Sequence, residues 1–131
     1  MAIMQGHLTL IGQQFDTELV SARLKVHANW EKHPQDALDN GRLFGHAEWG
    51  VVTSYYDSDD MNDLIDSLIK LVPVSKEEMR AVAEEMNAKW NILLFVEVKD
   101  DFPAIILSET FLHFASSIGA VVGFDVYCLN C

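Results

Sequence analysis

The acidic residues of this chain are its strongest candidates for a functional site, and several of them lie in one segment. Five aspartates lie in a short run, namely Asp57, Asp59, Asp60, Asp63 and Asp66. The run resembles the beginning of a calcium-binding loop, but methionine and asparagine stand where such a loop needs a ligand and a glycine. We therefore expect no calcium site. The segment instead predicts an acidic surface that attracts a basic protein partner and accelerates the encounter with it.

Asp125 and Tyr127 are a second candidate for binding. Both lie in the last apolar run, where alternation places them on the same face of a predicted strand. A buried carboxylate without a partner is costly, so Asp125 must reach solvent or meet a hydrogen-bond donor. One interpretation places it on the open face of the sheet or at a backbone cap. The other has Asp125 and Tyr127, with Glu97 and Trp49, lining a surface for a ligand or a partner.

Histidines could support acid–base chemistry in one irregular segment. His33 and His46 could approach Asp36 or Asp39 there, with a histidine as the base. The sequence contains no G-x-S-x-G, Walker A or G-x-G-x-x-G pattern, and no histidine pair has a metal-ligand spacing. Because neither a nucleophile nor an oxyanion donor can be named, an enzyme ranks last among the alternatives. We expect these histidines to be solvated residues of a loop.

The cysteine pair of the chain is Cys128-Leu-Asn-Cys131. A redox pair of this spacing needs its first thiol at the beginning of a helix, and this pair follows a strand. A zinc site would need two further ligands. We expect the pair to be incidental, and we expect no metal, no cofactor and no catalytic residue.

Composition restricts the class of protein. The chain has 131 residues and is predicted to form a single domain over 1–131. It carries 20 acidic and 9 basic residues, a net charge of −11, so its surface should repel nucleic acid. No apolar run approaches the ~20 residues that cross a bilayer, and the N-terminal residues do not resemble a signal peptide. We therefore expect no nucleic acid, no membrane and a cytoplasmic location.

The positions of apolar residues and caps predict the elements that carry these side chains. Alternation predicts strands at 8–11, 47–55, 92–98, 104–107 and 120–127. Helical spacing and capping residues predict helices at 16–24, 60–72, 75–86 and 108–118. Residues 92–98 are apolar on both faces until Glu97, as in an interior strand that is covered on both sides. The expected fold is an α+β two-layer sandwich, a largely antiparallel sheet with helices packed on it, in the order β-α-β-α-α-β-β-α-β.

Residues 27–45 lack periodicity and contain Pro34, Asn40, Gly41 and Gly45. A loop of this length is uncommon in a compact domain unless it is mobile or functional. It supports the principal alternative for function, a small-molecule-binding or sensory module. Such a module would use a cleft between the 27–45 loop and the sheet near Trp49.

Several stretches together resemble a bacterial family known as domain of unknown function 4279 (DUF4279). They are Phe15-Asp16 before a helix, His46-Ala-Glu-Trp49, Phe102-Pro-Ala-Ile-Ile-Leu-Ser108 and Phe124-Asp-Val-Tyr127. The resemblance covers about residues 8 to 128. It implies no activity or catalytic residue, because the family has none assigned. Small acidic bacterial domains also resemble immunity proteins that neutralise toxins, an analogy that motivates our leading expectation. We expect a non-enzymatic interaction protein, immunity-like or antitoxin-like, that binds a basic protein such as a toxin.

Overall fold

The computed structural model describes residues 2–58, 60–99 and 104–129. Within these residues there are six strands and four helices. In chain order they are β1 (Ala2–Gly12), α1 (Thr17–Leu24), β2 (Trp30–Lys32), β3 (Ala47–Val52), β4 (Tyr56–Asp57), α2 (Met61–Ile69), α3 (Lys76–Glu85), β5 (Ala88–Val98), α4 (Glu109–Ser117) and β6 (Val121–Cys128).

The strands form one sheet in the order β2-β3-β1-β5-β6, and β4 also pairs with β1. The two longest strands, β1 and β5, pair antiparallel from Ala2 opposite Val98 to Gly12 opposite Ala88. We name the two ends of the sheet the Ala2 end and the Gly12 end. Only β6 runs parallel to its neighbour, β5, which it reaches through the crossover helix α4. The predicted α+β class and the largely antiparallel sheet are confirmed.

All four helices cover the same face of the sheet, because alternate strand residues on that face are apolar. In β1 and β5 these residues are fully buried and include Leu8, Leu10, Ile92 and Leu94. Helix α2 packs closely here: a methyl group on Gly6 would lie 3.1 Å from Cδ1 of Leu68. The helices form one layer of the fold and the sheet forms the other, with the core between them.

Two buried tryptophans lock helices to the sheet through their indole N–H groups. Trp49 of β3 donates to Oγ of Ser21 in α1 at 2.9 Å. Trp90 of β5 donates to the carbonyl oxygen of Met79 in α3, also at 2.9 Å. The rings meet edge to face with centroids 6.0 Å apart, a favourable aromatic arrangement. Each large side chain thus fills the core and also satisfies its polar atom.

The predicted helix caps are confirmed at all four helices. Asp16, Asp60, Ser75 and Ser108 each accept a hydrogen bond from a backbone N–H in the first turn. The run Ser75-Lys-Glu-Glu78 has the spacing of a capping box, in which the Glu78 carboxylate would bond back to the N–H of Ser75. In the structure that carboxylate accepts from Arg23, at 2.6 Å from Nη2, and so joins α3 to α1.

Three strand predictions need correction. Residues 104–107 are not a strand, because no described strand pairs with them. The strand predicted to run to Tyr55 is split, because the hydroxyl of Thr53 accepts from the N–H of Gly6 and interrupts the ladder before β4. Strand β1 begins at Ala2 rather than Leu8, and its small residues there, such as Gly6, gave too weak an apolar signal.

The structure also corrects the expectations for the 27–45 segment and for the covering of β5. The unpredicted strand β2 lies within the 27–45 segment, so that segment is not a simple loop. Strand β5 is interior, but helices cover only one of its faces, and Leu93 and Phe95 on the other face are partly exposed. Among the described residues, no helix has the length and apolar character that would let it cross a bilayer.

Candidate partner-binding surface

The second face of the sheet carries no helix among the described elements, and we call it the open face. The strand registers place the same sequence parity on it in β1, β5 and β6. Its residues toward the Ala2 end are Ile3, Gln5, His7, Leu93, Phe95, Glu97, Gly123, Asp125 and Tyr127. None of these is lysine or arginine. An uncovered sheet face that combines aromatic residues with carboxylates is the most distinctive surface of the described chain.

Three carboxylates converge at the Ala2 end of the open face. Asp57 pairs with Ile3, Ile3 pairs with Glu97, and Glu97 pairs with Tyr127, so these four residues form one row across the sheet. Asp125 occupies the adjacent position on β6 and accepts a hydrogen bond from Oη of Tyr127 at 3.0 Å. The predicted common face of Asp125 and Tyr127 is therefore confirmed.

The Tyr127–Asp125 contact has an electrostatic consequence. The hydrogen bond to Asp125 and the negative charge of that carboxylate raise the pKa of Tyr127. Tyr127 consequently stays protonated and donates to Asp125 throughout the physiological range. Asp125 is half-buried on the open face, which fulfils the alternative that it reaches solvent and also finds a donor.

The segment that enters α2 adjoins this end of the sheet. The N–H of Ser58 donates to the carbonyl oxygen of Ala2 at 3.0 Å, which brings the chain entering α2 against β1. Asp60 is committed to capping, with Oδ1 accepting from the N–H of Asn62 at 2.9 Å. Asp63 and Asp66 are exposed. The predicted residue Asp59 lies outside the described residues.

We call the carboxylates of Asp57, Asp60, Asp63, Asp66, Glu97 and Asp125 the acidic end; Asp63 and Asp66 belong to α2 in the helical layer, whereas Glu97 and Asp125 lie on the open face. No described lysine or arginine forms an ion pair with any of them. Instead the arginine ion pairs of the described ranges lie elsewhere, joining Arg23 to Glu78 and Glu85 and Arg80 to Glu84. Lys99, exposed immediately after β5, is the nearest basic residue along that strand. Among the described residues, the carboxylates of the acidic end are therefore not neutralised by a lysine or arginine.

A groove opens on the sheet beside these carboxylates. Its volume is about 430 Å³, and it is lined by Ile3, Gln5, His7, Tyr55, Phe95, Val96, Glu97 and Tyr127. The two tyrosines at its rim are mostly exposed, Tyr55 at 71% and Tyr127 at 54%. Glu97 accepts no hydrogen bond from any described residue. The groove thus combines apolar and aromatic walls with one carboxylate that has no partner in the described chain.

His7 marks the middle of the open face and separates this groove from a second one. Its ring lies between Trp30 and Phe95, with centroid distances of 5.2 and 4.6 Å. Its Nε2 makes a 3.0 Å hydrogen bond with Oε1 of Gln5. Burial lowers the pKa of His7, so the ring is neutral near pH 7. Trp30 covers Gly50, where any larger side chain would collide with the indole.

The predicted role of Trp49 in a surface is wrong. Its side chain is fully buried on the helix-covered face, opposite Asp125 and Tyr127. The cleft expected near Trp49 is displaced for the same reason. The 27–45 segment does form a groove with the sheet, of about 370 Å³, but on the open face beneath Trp30 and beside Glu48 and Asn91.

The histidines and aspartates of the 27–45 segment have local roles. The N–H of Phe44 donates to the carbonyl oxygen of Asp36 at 2.6 Å, which closes the segment as a hairpin. Asp36 accepts from the N–H of His33 at 2.8 Å, and His46 contacts Glu48 at 3.0 Å. Asp36 thus contacts the backbone of His33 and not its ring, and the ring of His46 contacts Glu48 rather than an aspartate. Within the described ranges, no group of three His, Cys, Asp or Glu residues could hold a metal ion. Cys128 ends β6, and Cys131 lies outside the described residues.

Four residues of the open face were not predicted to contribute to a site: His7, Trp30, Tyr55 and Phe95. The sequence does contain a signal for Phe95, because β5 is apolar on both faces and helices cover only one of them. Trp30 had no comparable signal, since it lies in an aperiodic segment and its position over Gly50 depends on a pairing distant in sequence.

These observations define an α+β protein with one helix-covered sheet face and one open face that is aromatic and acidic at the Ala2 end. The chain belongs to the family described as a domain of unknown function (DUF4279), whose model matches residues 4–129. No curated protein and no solved structure matches the chain. The family resemblance of the sequence is confirmed, and the family assigns no activity to it.

Proposed function

We propose that this chain is a non-enzymatic interaction protein that binds a basic protein partner through its acidic end. One observation supports the proposal: the carboxylates of the acidic end have no lysine or arginine partner among the described residues, whereas Glu78, Glu84 and Glu85 of α3 each pair with an arginine. Unpaired charges of one sign attract a partner of opposite charge and accelerate its association. The same charge disfavours nucleic acid as the partner.

The proposal extends to biological setting by analogy. A small acidic domain that masks a basic surface would act as an immunity-like or antitoxin-like protein. Its partner would then be a basic toxin. The cytoplasm is the compartment we propose. Asp57, Asp63 and Asp66 would steer the partner from the edge of the surface, whereas Asp125 and Tyr127 would contact it on the open face.

The experiment compares two variants of equal charge. Asp63→Asn/Asp66→Asn removes two exposed carboxylates from the acidic end, and Glu18→Gln/Asp39→Asn removes two exposed carboxylates elsewhere. Immobilised wild type and variants are exposed to extract of the source organism, and retained proteins are identified by mass spectrometry. We expect a basic protein to be retained by wild type and by the control variant, and less by the acidic-end variant.

Kinetics with the purified partner complete the test. The association rate should fall by about tenfold between low and physiological salt, because exposed charges are screened. Asp63→Asn/Asp66→Asn should slow association by roughly threefold more than the control variant does. The proposal is rejected if no basic protein is retained, or if the rate is indifferent both to salt and to the position of the substitutions.

The groove beneath Trp30 favours a second candidate function, the binding of a small molecule. Its lining includes His7, Glu48 and Asn91, which provide donors and acceptors beside apolar residues such as Leu93. A thermal-shift screen of metabolites tests this candidate, since a ligand that binds only the folded state raises its melting temperature. The shift must disappear in Trp30→Ala for this groove to be the binding site.

A further inference from the structure

We propose that the groove between Tyr55, Phe95 and Tyr127 binds the side chain of one arginine from a basic protein partner. This inference rests on the proposed function and deepens it, because it names the chemical group that the open face recognises. The groove lies on the unpartnered face of the sheet, and its volume of about 430 Å³ exceeds what a single side chain requires.

The walls of the groove suit a long aliphatic stem. Ile3 and Phe95 supply apolar surface on neighbouring strands, and the ring of His7 closes the groove toward the centre of the sheet. Burial lowers the pKa of His7, and the neutral ring offers no repulsion to a cation. A three-carbon stem could therefore lie along the floor with its apolar surface covered.

The end of the groove suits a cation. Glu97 lines it and accepts no hydrogen bond from any described residue, and its row neighbours across the sheet are Ile3 and Tyr127. Asp57 adds negative charge at the β4 end of that row, and Asp125 adds it from the adjacent position on β6. A carboxylate with both oxygens available accepts two parallel hydrogen bonds from a guanidinium group.

Aromatic rings distinguish arginine from lysine as the occupant. The guanidinium group is planar, is weakly hydrated and stacks on aromatic faces, whereas the ammonium group of lysine is compact and strongly hydrated. Tyr55 and Tyr127 are both exposed at the rim, and the hydroxyl of Tyr127 is already directed to Asp125. That hydrogen bond restrains the orientation of the ring, which lowers the entropy cost of stacking on it.

The experiment uses a defined probe and needs no knowledge of the natural partner. The isotope-labelled protein is titrated with the peptide acetyl-Gly-Arg-Gly-amide while backbone amide shifts are recorded by NMR. We expect saturable millimolar binding with the largest shifts at Phe95, Glu97 and Tyr127. The matching lysine peptide should bind about threefold more weakly, and the uncharged citrulline peptide should not bind measurably.

Two isosteric variants locate the interaction. Glu97→Gln removes the unpartnered carboxylate and should weaken the arginine peptide by about fivefold. Glu18→Gln removes an exposed carboxylate from α1, away from the open face, and should change binding by less than about twofold. Circular dichroism melting curves confirm that both variants remain folded.

The outcomes separate this inference from the proposed function. Any one of three results would overturn the arginine site: equal binding of the lysine peptide, amide shifts confined to α2, or unchanged binding in Glu97→Gln. This holds even if a basic partner still associates through Asp63 and Asp66. Conversely, if no basic protein is captured but the arginine peptide binds at Glu97 as described, the site stands and the proposed partner class fails.

Discussion

Gly50 offers the sharpest test of how the open face is built. A methyl group at this position would lie 2.0 Å from Cζ2 of Trp30, so Gly50→Ala must displace the indole. Gly50 does not adopt positive φ, and alanine is therefore compatible with its backbone. The displaced ring no longer contacts His7 and no longer covers the strand at position 50. With roughly 100 Å² of apolar surface re-exposed at about 25 cal/mol per Å², the loss is at most about 2.5 kcal/mol.

Urea denaturation of four proteins measures this loss: wild type, Gly50→Ala, Trp30→Ala and the double variant. We expect Gly50→Ala to lower the free energy of unfolding by about 1–2.5 kcal/mol and the melting temperature by roughly 5–10 °C. In the Trp30→Ala background the same methyl should cost less than about 0.5 kcal/mol, because nothing remains to displace. A Gly50→Ala protein as stable as wild type, or an equal cost in both backgrounds, would refute the reasoning.

Two further predictions concern buried polar contacts. Trp90→Phe should lower the free energy of unfolding by about 2 kcal/mol, since it removes ring volume and the buried donor to Met79. Trp49→Phe should lower it by only about 1 kcal/mol, because its partner Ser21 is partly exposed. Equal losses of the two variants in chemical denaturation would contradict this ordering. Burial lowers the pKa of His7 below its ordinary 6.5, so the unfolded chain takes up the proton more readily. The His7 contribution should be complete above 6.5 and decline as the pH falls below it, and His7→Phe should flatten that part of the stability profile; an unchanged profile would contradict the assignment.

Most of the helical layer could be predicted because its signals are local. An N-terminal cap such as Asp16 or Ser108 acts within one turn, and the apolar spacing that follows it lies within the same helix. The α+β class follows from those helices and the alternating strands. The strands that were missed have signals that depend on distant partners: β2 exists because Trp30 pairs across from Gly50, and β4 because Asp57 pairs with Ile3.

The binding surface was only partly predictable for a related reason. The sequence identifies Asp125 and Tyr127 as sharing a face, because alternation is a local property. It does not say which face the helices cover, so alternation alone does not show that Trp49 faces the core, as its size and apolar character favour. Register supplies the missing information, since it places Asp57, Glu97 and Tyr127 in one row from three distant segments.

The apolar residues on both faces of β5 connect the fold with the proposed function. Covering by helices explains Ile92 and Leu94, but it leaves Leu93 and Phe95 facing outward on an interior strand. Such exposed apolar surface carries a cost in solubility unless charge surrounds it, and here Glu97 and Asp125 lie beside it. The carboxylates that keep the face soluble are also those that would attract a cation. Aromatic surface and unpaired charge at one end of the sheet are therefore a single arrangement, and a guanidinium group is the chemistry that satisfies both parts of it.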